Sequence, residues 1–327
     1  MTKLVTIFGG SGFIGRYIAH RMAKRGWRVR VAVRRPNEAI FVKTYGVVGQ
    51  VEPILCNIRD DASVEEALNG ADAVVNCVGI LIEDKKNTFA AVQHSGAERI
   101  GRLSKEVGIK SLVHISAIGA DENSSSIYSS TKAKGENAIV SNFPNAVILR
   151  PSIVFGQEDQ FFNRFAKMAT MAPVLPLIGA DTRFQPVFVD DVAKAAEAAL
   201  LGSVPKGIYE LGGPEIKNFR EFMVVMLKII KRRRLIINTP RLIAKLMAFS
   251  LSTLQMLTLG LFKNSIITSD QIENLGIDNI VSEKAKGFET LNIDPLDMGS
   301  ILPEYLWRYR PSGQYDAIKD SAKNLRS

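Results

Sequence analysis

Hydrophobic residues in the first 150 positions alternate between short unbroken apolar runs and longer stretches in which they recur every three or four residues. The unbroken runs are typical of parallel strands covered on both faces, and the spaced stretches predict amphipathic helices. Alternation of this kind indicates the α/β class, with a doubly wound parallel sheet. The predicted strands are 3–8, 28–33, 51–56, 73–77, 111–116 and 146–149, and the predicted helices are 16–24, 63–69, 88–107 and 128–142.

The pattern changes after Arg150, where proline and glycine become frequent and the regular alternation stops. Short apolar runs at 187–189 and 207–211 predict two returns of the chain to the sheet. Beyond Gly213 the chain has a helical and basic pattern up to Lys263. The sequence therefore predicts a first domain of residues 1–155 plus about 186–212. A smaller, discontinuous, mainly helical C-terminal domain is expected to contain about 156–185 and 213–327.

The junction between the first predicted strand and helix is rich in glycine. In a strand–turn–helix unit, such glycines allow a tight turn, close approach of a pyrophosphate to the backbone, and close packing of the helix on the strand. The free N–H groups and positive dipole end of the helix attract phosphate. We therefore predict a Rossmann-type dinucleotide site built from Gly9, Ser11, Gly12, Phe13, Ile14 and Gly15.

Two arginines follow the second predicted strand. Arg34 and Arg35 stand where an NAD-binding chain usually has an acidic residue for the ribose 2′-hydroxyl. A cation at this place suits a 2′-phosphate. The sequence therefore predicts NADP(H) as the cofactor.

Two further strand ends are expected to border the cofactor, since nucleotides lie at the carboxyl edge of such a sheet. Asn57 and Ile58 follow the third strand and are predicted to flank the adenine, whereas Cys77, Val78 and Gly79 follow the fourth. A plain strand-to-helix turn is the alternative at each place.

A tyrosine and a lysine lie four residues apart just after the fifth strand. Tyr128 and Lys132 share one face of the predicted helix. A lysine at this distance stabilises a phenolate and reaches the nicotinamide ribose, so Tyr128 is a candidate general acid–base. The spacing by itself is common, and its weight comes from its position after the strand.

Taken together, these segments resemble the extended or atypical short-chain dehydrogenase/reductase family. The likeness is carried by the glycine turn, the Tyr128/Lys132 pair and the segments 76–79, 150–156, 186–192 and 211–214. It implies further cofactor contacts from Ser116, Lys132, Pro151 and Ile153.

One position departs from that family. Ile118 stands where these enzymes usually have a catalytic Ser or Thr, and an apolar side chain cannot donate a hydrogen bond to a substrate carbonyl. Ser116 or Thr131 is the alternative donor. The resemblance thus implies cofactor binding, while Ile118 favours a vestigial role for Tyr128 and Lys132.

Within this family, the chain is similar to the nucleotide-binding accessory subunits of respiratory complex I and their bacterial relatives. The segments 113–116, 125–128, 132–136, 155–161, 185–192 and 305–314 carry this likeness. It implies bound NADPH, other subunits of a membrane respiratory complex as partners, and a structural role near the quinone site. It also implies a peripheral location on the cytoplasmic face of a bacterial inner membrane, or on the mitochondrial matrix side if a transit peptide has been removed.

Composition adds several expected absences. Cys56 and Cys77 fall in predicted buried strands, which argues for a reducing compartment without a disulfide framework. His20, His94 and His114 lack metal-ligand spacing, so no metal site is expected. The chain enters a strand by residue 3, so no signal peptide is expected.

The net charge of +9 is concentrated in one segment, because residues 220–263 contain nine basic residues and one acid. Within it, 241–262 has a narrow polar stripe and a wide apolar face. Such a segment fits a helix on an anionic membrane surface or in a partner's groove. The alternatives are an internal helix of the second domain and, with least support, a membrane span. No aromatic platform accompanies the arginines, so nucleic acid is not an expected partner.

Two functions follow. The first is a non-catalytic or weakly catalytic NADP(H)-binding accessory subunit that stabilises a membrane respiratory complex. The alternative is a free NADP-dependent reductase, isomerase or dehydratase that uses Tyr128 and Lys132 on a lipid-like or sugar-nucleotide substrate.

Overall fold

The chain forms two compact units, seen in a computed structural model that describes residues 2–240, 242–243 and 269–315. The first unit contains Met1–Ser152, Val189–Gly212 and Val281–Pro295. The second unit contains Ile153–Phe188, Gly213–Ile280 and Leu296–Ser327.

Strands and helices alternate through most of the described chain. The strands are β1 (Leu4–Phe8), β2 (Arg28–Val33), β3 (Val51–Leu55), β4 (Ala73–Asn76), β5 (Ser111–Ile115), β6 (Val147–Pro151), β7 (Val154–Phe155), β8 (Val174–Leu177), β9 (Arg183–Phe184), β10 (Val187–Phe188), β11 (Gly207–Leu211), β12 (Lys217–Asn218) and β13 (Leu235–Asn238). The helices are α1 (Phe13–Lys24), α2 (Asp61–Leu68), α3 (Ser95–Glu106), α4 (Ile127–Asn142), α5 (Phe162–Met171), α6 (Val189–Leu200), α7 (Phe219–Ile229), α8 (Ser269–Asn274) and α9 (Met298–Leu306). Ala90–His94 is a π-helical turn before α3, and 3₁₀ turns occupy Pro36–Tyr45, Phe288–Leu291, Trp307–Tyr309 and Gly313–Tyr315.

A seven-stranded sheet lies at the centre of the first unit, in the order β11-β6-β5-β4-β1-β2-β3, and its neighbouring strands are all parallel. Every residue of β1 and β4 is buried. Their unbroken apolar sequences fit this position, because α1 with α6, and α3 with α2 and α4, cover the sheet on both faces. The predicted α/β class and doubly wound sheet are confirmed.

The strand order reverses between β1 and β4. From β1 the chain builds β2 and β3 on one side, and β4, β5 and β6 on the other. At such a switch point the connections leave in opposite directions, so a crevice opens beyond the carboxyl ends of the two strands. Phe8 and Asn76 are paired as the last residues of β1 and β4, so the turns that follow them border this crevice.

The second unit has its own core, in which helices pack around aromatic rings. Phe161 lies 5.3 Å from Phe219 between ring centroids, and Phe155 lies 6.2 Å from Phe162. Side chains from α5, α7 and α9 complete this cluster. Short two-strand ladders border it: β7 with β10 and β8 with β13 are parallel, and β9 with β12 is antiparallel.

Several sequence-based boundaries differ from the structure. The run 187–189 does not return to the main sheet, since Val187–Phe188 pairs with Val154–Phe155 and α6 begins at Val189. The expectation of sheet return at 207–211 is confirmed by β11. The basic segment is not continuously helical, because Leu235–Asn238 pairs with Val174–Leu177. A long helix over 88–107 is replaced by the π-helical turn and α3.

The segment 281–295 lies in the first unit, although the sequence assigned all of 213–327 to the second domain. Its backbone joins the exposed side of β11, the last strand of the sheet. The N–H of Glu210 donates to the Lys286 carbonyl at 2.8 Å, and the N–H of Ser282 donates to the Glu210 carboxylate at 2.8 Å. These bonds attach the segment to the sheet edge.

Of the predicted interfacial helix 241–262, only Leu242 and Ile243 fall within the described residues. The rest lies outside them. No helix that the structure describes is both long enough and apolar enough to cross a bilayer.

Candidate functional site

Backbone hydrogen bonds order the glycine turn after β1 and join it to the end of β2. Gly9 has a φ of +73°, and its N–H donates to the Ala32 carbonyl at 2.9 Å. The N–H of Gly12 donates to the Gly9 carbonyl at 2.9 Å. Gly12 caps α1 without a side-chain hydrogen bond, and the first helical turn carries no acidic residue. Its N–H groups and dipole can therefore receive a phosphate.

Close backbone approach explains the glycine at the third position of the turn. A Cβ on Gly15 would lie 2.5 Å from the Gly9 carbonyl oxygen and 2.7 Å from the Gly10 Cα. Both are backbone atoms that cannot rotate away, so α1 sits against the turn only because residue 15 has no side chain.

The other residues predicted in this turn surround it with packing and polar contacts. The Arg16 guanidinium donates through Nη2 to the Ser11 carbonyl at 3.0 Å and lies 4.9 Å from the Phe41 ring centroid. Phe13 meets the Tyr17 ring edge-on at 6.2 Å, and Ile14 is half-buried. Arg16 was not predicted from the sequence; its position four residues after Gly12 is the signal that would have indicated it.

The turn after β4 lies beside the glycine turn. A Cβ on Gly9 would approach the Cys77 carbonyl and the Val78 side chain at 3.3 Å. The N–H of Val78 donates to Asn76 Oδ1 at 3.0 Å. Asn76 Nδ2 lies 3.1 Å from His114 Nδ1, so the amide links the ends of β4 and β5.

Sequence reasoning missed the Asn76–His114 pair. Both are polar residues at or near the ends of buried strands, and they occupy paired positions in β4 and β5. Burial and, to a smaller extent, the nearby charge of Lys132 lower the pKa of His114 to about 3. The ring is therefore neutral at pH 7. Since Asn76 donates to Nδ1, the ring proton lies on Nε2, a buried atom without a partner among the described residues.

Lys132 reaches the same crevice from α4. Its Nζ donates to the Ile115 carbonyl at 3.2 Å, and a Cβ on Gly79 would lie 3.4 Å from that nitrogen. The residue is 5% exposed. Burial lowers the pKa of Lys132 to about 8, partly offset by the negative charge of Glu136. An ammonium is thus held in a nearly dry position beside the turn after β4.

The buried ammonium makes a testable contribution to stability. The pKa of Lys132 is about 8 in the folded protein and near 10.5 in the unfolded chain. Burial of the charge therefore lowers the free energy of unfolding of the cofactor-free protein, and this loss has its full size below pH 8. Lys132→Met should therefore raise the free energy of unfolding by roughly 2–3 kcal/mol at pH 7. The advantage of the variant should shrink as the pH rises from 8 to 10.5. Urea unfolding of both proteins across this pH range measures the difference in their free energies of unfolding. A difference that grows with pH would contradict a lowered pKa for Lys132.

Tyr128 lies one helical turn before Lys132. It is half-buried, and its ring meets Phe89 edge-on at 6.0 Å. The structure therefore brings the phenol and the buried ammonium to one side of α4, next to the end of β5.

The two hydroxyls that could replace the missing donor at Ile118 differ in their surroundings. Thr131 Oγ1 lies 2.7 Å from the Ile127 carbonyl and 3.0 Å from Gln93 Oε1, so its proton is engaged within the fold. Ser116 Oγ is buried and has no partner among the described residues. Ile118 itself is 9% exposed, and its N–H donates to the Pro151 carbonyl at 3.1 Å. Ser116 is therefore the donor that remains available.

The arginines after β2 also differ from one another. Both side chains are exposed. Arg35 forms an ion pair with Glu38 at 3.0 Å. Arg34 has no partner within the part of the chain that the structure describes. Arg34 is therefore the one of the two arginines that no described carboxylate neutralises.

The remaining predicted residues are held mainly by their own packing. Asn57 Oδ1 accepts from the Arg59 N–H at 3.2 Å, which orders the turn after β3. Ile58 is 9% exposed and packs on Gly96 of α3. Pro151 is buried at the end of β6, and Ile153 begins the second unit.

A parallel sheet with a glycine turn at its switch point defines a Rossmann-type protein. Residues 5–212 match the NAD dependent epimerase/dehydratase family, and the chain belongs to that family.

Two relatives match nearly the whole chain. The mitochondrial NADH dehydrogenase (ubiquinone) 1 alpha subcomplex subunit 9 of Arabidopsis thaliana is 34% identical over 95% of this chain and 79% of its own length. The mitochondrial NADH-ubiquinone oxidoreductase 40 kDa subunit of Neurospora crassa is 31% identical over 98% of this chain and 83% of its own length. The family resemblance inferred from the sequence is confirmed.

Solved structures share the fold at low identity. Gox2253 superposes with a TM-score of 0.71 and 19% identity, covering 96% of this chain and 99% of that one. MoeE5 in complex with UDP-glucuronic acid and NAD superposes with a TM-score of 0.61 and 17% identity, covering 72% of this chain and 85% of that one. The dTDP-4-dehydrorhamnose reductase of Bacillus anthracis in complex with NADP has a TM-score of 0.58 and 16% identity, covering 73% of this chain and 84% of that one.

Proposed function

We propose that this protein is a nucleotide-binding accessory subunit of a membrane respiratory complex that transfers electrons from NADH to ubiquinone. The observation that carries the proposal is the likeness over 95% and 98% of the chain to two subunits of that enzyme. Ile118 supports it, since an apolar side chain at the place of a catalytic hydroxyl suits a protein selected for binding rather than turnover. A resident nucleotide stabilises the fold, because it binds the native state and not the unfolded chain.

The cofactor that fits best is NADP(H), as bound NADPH. The glycine turn and the start of α1 would receive the pyrophosphate, and Arg34 would bind the 2′-phosphate. Lys132 would reach the nicotinamide ribose, and Ser116 would offer its buried hydroxyl nearby. When bound, the nicotinamide supplies or accepts a hydride. NAD and NADP both occur in solved structures of this fold, so the choice of NADP rests on Arg34.

The proposed docking element is the basic segment 220–263. Its described portion exposes several cations and apolar side chains together, as expected for a surface that meets anionic lipid and partner subunits. The location that follows is peripheral: on the matrix side in a mitochondrion, or on the cytoplasmic side of a bacterial inner membrane. The second unit would then provide the contact with the complex.

Gentle detergent extraction tests this proposal. Source membranes are solubilised, separated by native size, and probed for this protein, for NADH:ubiquinone activity and for other subunits. We expect co-migration of all three at the size of the complex. A high-salt wash before extraction serves as the control for loose electrostatic adsorption, because screening would remove it. Migration as a lone monomer after extraction would overturn the proposal.

A free NADP-dependent reductase, isomerase or dehydratase is the second candidate. The observation in its favour is the retained Tyr128/Lys132 pair, with Lys132 buried beside the crevice and its pKa lowered to about 8. At pH 7 the ammonium remains charged, and it would favour the phenolate form of Tyr128. Tyr128 would then exchange a proton with the substrate oxygen during hydride transfer.

Tyr128→Phe separates the two candidates. For an accessory subunit, we expect the variant to retain NADPH and to co-migrate with the complex at wild-type levels, because neither binding nor assembly would then depend on proton exchange by the phenol. For a free reductase, substrate-dependent NADPH oxidation should fall by about 100-fold or more. Cofactor retention, complex assembly and turnover are measured on the same preparations. Tyr17→Phe, a half-buried tyrosine on α1, is the matched loss of a hydroxyl.

A further inference from the structure

A cavity of about 570 Å³ lies at the C-terminal end of α7 in the second unit. Its apolar wall is formed by Val224, Leu227 and Ile236, and its cationic wall by Lys228 and residues 231–234. We call it the α7 cavity. Its volume is in the range of sites that hold a small ligand.

The end of α7 places a lysine in an unusual backbone conformation. Lys231 has a φ of +52°, and the N–H of Arg232 donates to the Leu227 carbonyl at 3.0 Å. Together with the bond from the Lys231 N–H to the Lys228 carbonyl at 3.2 Å, this is a Schellman motif. Glycine is the usual residue at its left-handed position. A lysine thus occupies a position beside the cavity at which the backbone conformation favours glycine.

Two arginines are fixed by backbone carbonyls from distant segments. Arg232 Nε donates to the Tyr309 carbonyl at 2.8 Å, and Arg234 Nε donates to the Ala169 carbonyl at 2.7 Å. Each guanidinium keeps a terminal nitrogen without a hydrogen-bond partner among the described residues. Such anchoring lowers the entropy lost when an anion binds.

The cations of this wall lack acidic neighbours. Within the described chain, Lys228, Arg232, Arg233 and Arg234 form no ion pair with Asp or Glu. A basic residue in the last turn of a helix complements the helix dipole, which accounts for Lys228. The effect falls off beyond that turn and does not account for the arginines that follow. An anion would neutralise their mutual repulsion.

Exposed apolar side chains occur on both elements that form the cavity, and one of them, Val224, lines it. Val224 is 51% exposed, Leu235 is 62% exposed and Ile237 is 45% exposed. Leu235 and Ile237 alternate with the cavity-lining Ile236 along β13, so they point away from it on the opposite face. The apolar wall of the cavity itself, with Val224 exposed beside the cations, would contact hydrocarbon. A soluble phosphate ester offers no such group, whereas a lipid offers a phosphate and hydrocarbon together.

We propose that the α7 cavity binds the phosphodiester headgroup of an anionic phospholipid, with the exposed Val224 side chain at the cavity entering the acyl boundary. This inference deepens the proposed function and rests on its assignment of the basic segment to the membrane. It names Lys228, Lys231 and the anchored arginines as the headgroup ligands. The binding would give the second unit a fixed position on the bilayer instead of diffuse electrostatic attraction.

The test is vesicle binding by the purified full chain. Vesicles of phosphatidylcholine alone and of phosphatidylcholine with phosphatidylglycerol are compared by co-sedimentation. We expect binding that requires phosphatidylglycerol and falls about fivefold in Lys228→Gln, as for one basic residue at an anionic surface. Lys167→Gln, which removes another exposed lysine of the second unit outside the cavity, should change this binding much less. Lys231→Gly should weaken lipid binding without loss of thermal stability, since glycine suits the left-handed position.

Equal losses in Lys228→Gln and Lys167→Gln would overturn the proposal, because only net charge would then matter. Absence of binding to both vesicles would overturn it as well. If millimolar glycerol 3-phosphate released the protein from vesicles and bound at the cavity with the same affinity in their absence, a soluble phosphate ester would replace the lipid. Co-migration with the respiratory complex is measured separately on membranes. Its loss would refute the proposed function, whereas loss of lipid binding alone would refute only this site.

Discussion

Gly15→Ala should abolish NADPH retention. The added Cβ would lie 2.5 Å from the Gly9 carbonyl oxygen and 2.7 Å from the Gly10 Cα, distances that backbone atoms cannot accommodate without moving the turn. Displacement of α1 or of the turn removes the N–H groups aimed at the pyrophosphate. Overpacking of this type also lowers the free energy of unfolding by about 1–3 kcal/mol. Nucleotide fluorescence after gel filtration and thermal unfolding with and without added NADPH measure both effects.

Gly299→Ala is the control for this experiment. Its Cβ would lie 2.9 Å from Asp297 Oδ1, the atom that caps α9 by accepting from the Ser300 N–H, so the added strain falls in α9 of the second unit. We expect stabilisation by NADPH to survive in this variant. Wild-type NADPH retention in Gly15→Ala would show that the glycine turn does not hold the pyrophosphate.

The second large effect concerns cofactor choice. Arg34→Gln should weaken NADPH binding by about 10- to 100-fold, since a hydrogen-bonded ion pair with a phosphate contributes about 1.5–3 kcal/mol. NADH lacks the 2′-phosphate, so its affinity should stay within about twofold of wild type. Titration of both nucleotides into the stripped protein, followed by calorimetry, measures the ratio.

Arg35→Gln provides the comparison within the pair. Arg35 is already engaged with Glu38 at 3.0 Å, and both side chains are largely exposed. Its removal should therefore cost NADPH binding less than removal of Arg34 does. Equal weakening of NADPH and NADH by Arg34→Gln would mean that this arginine does not bind the 2′-phosphate.

The main sheet was predictable from sequence because each of its strands carries its own signal. β1, β4 and β5 are unbroken apolar runs with turn residues at their ends, and burial on both faces produces that pattern without reference to any distant residue. The glycine turn was predictable for the same reason, since it lies within one strand–helix junction.

The short ladders of the second unit could not be predicted in this way. Val187–Phe188 is too short to show a period, and its partner Val154–Phe155 lies far away in sequence. Leu235–Asn238 follows a basic run and pairs with Val174–Leu177, so its strand conformation depends on a tertiary contact. Local patterns do not report such pairings.

For the candidate site, too, local features could be predicted from the sequence and features that depend on tertiary packing could not. Tyr128 and Lys132 were placed on one helix face by spacing alone. The burial of Lys132, the Asn76–His114 contact and the engagement of Thr131 each depend on how α4 and the strand ends meet. Side-chain environments of this kind arise from packing, which leaves no periodic trace in the sequence.

The segment 281–295 has a consequence for how the chain is made. Without it, the side of β11 that accepts Ser282 and Lys286 would be an open strand edge, a common starting point for aggregation. During synthesis, the segment 281–295 leaves the ribosome only after residues 213–280 have emerged. The outer edge of β11 is therefore unpaired while most of the second unit is being translated. A protein shortened after Gly213 should therefore precipitate even though it keeps every residue of the glycine turn.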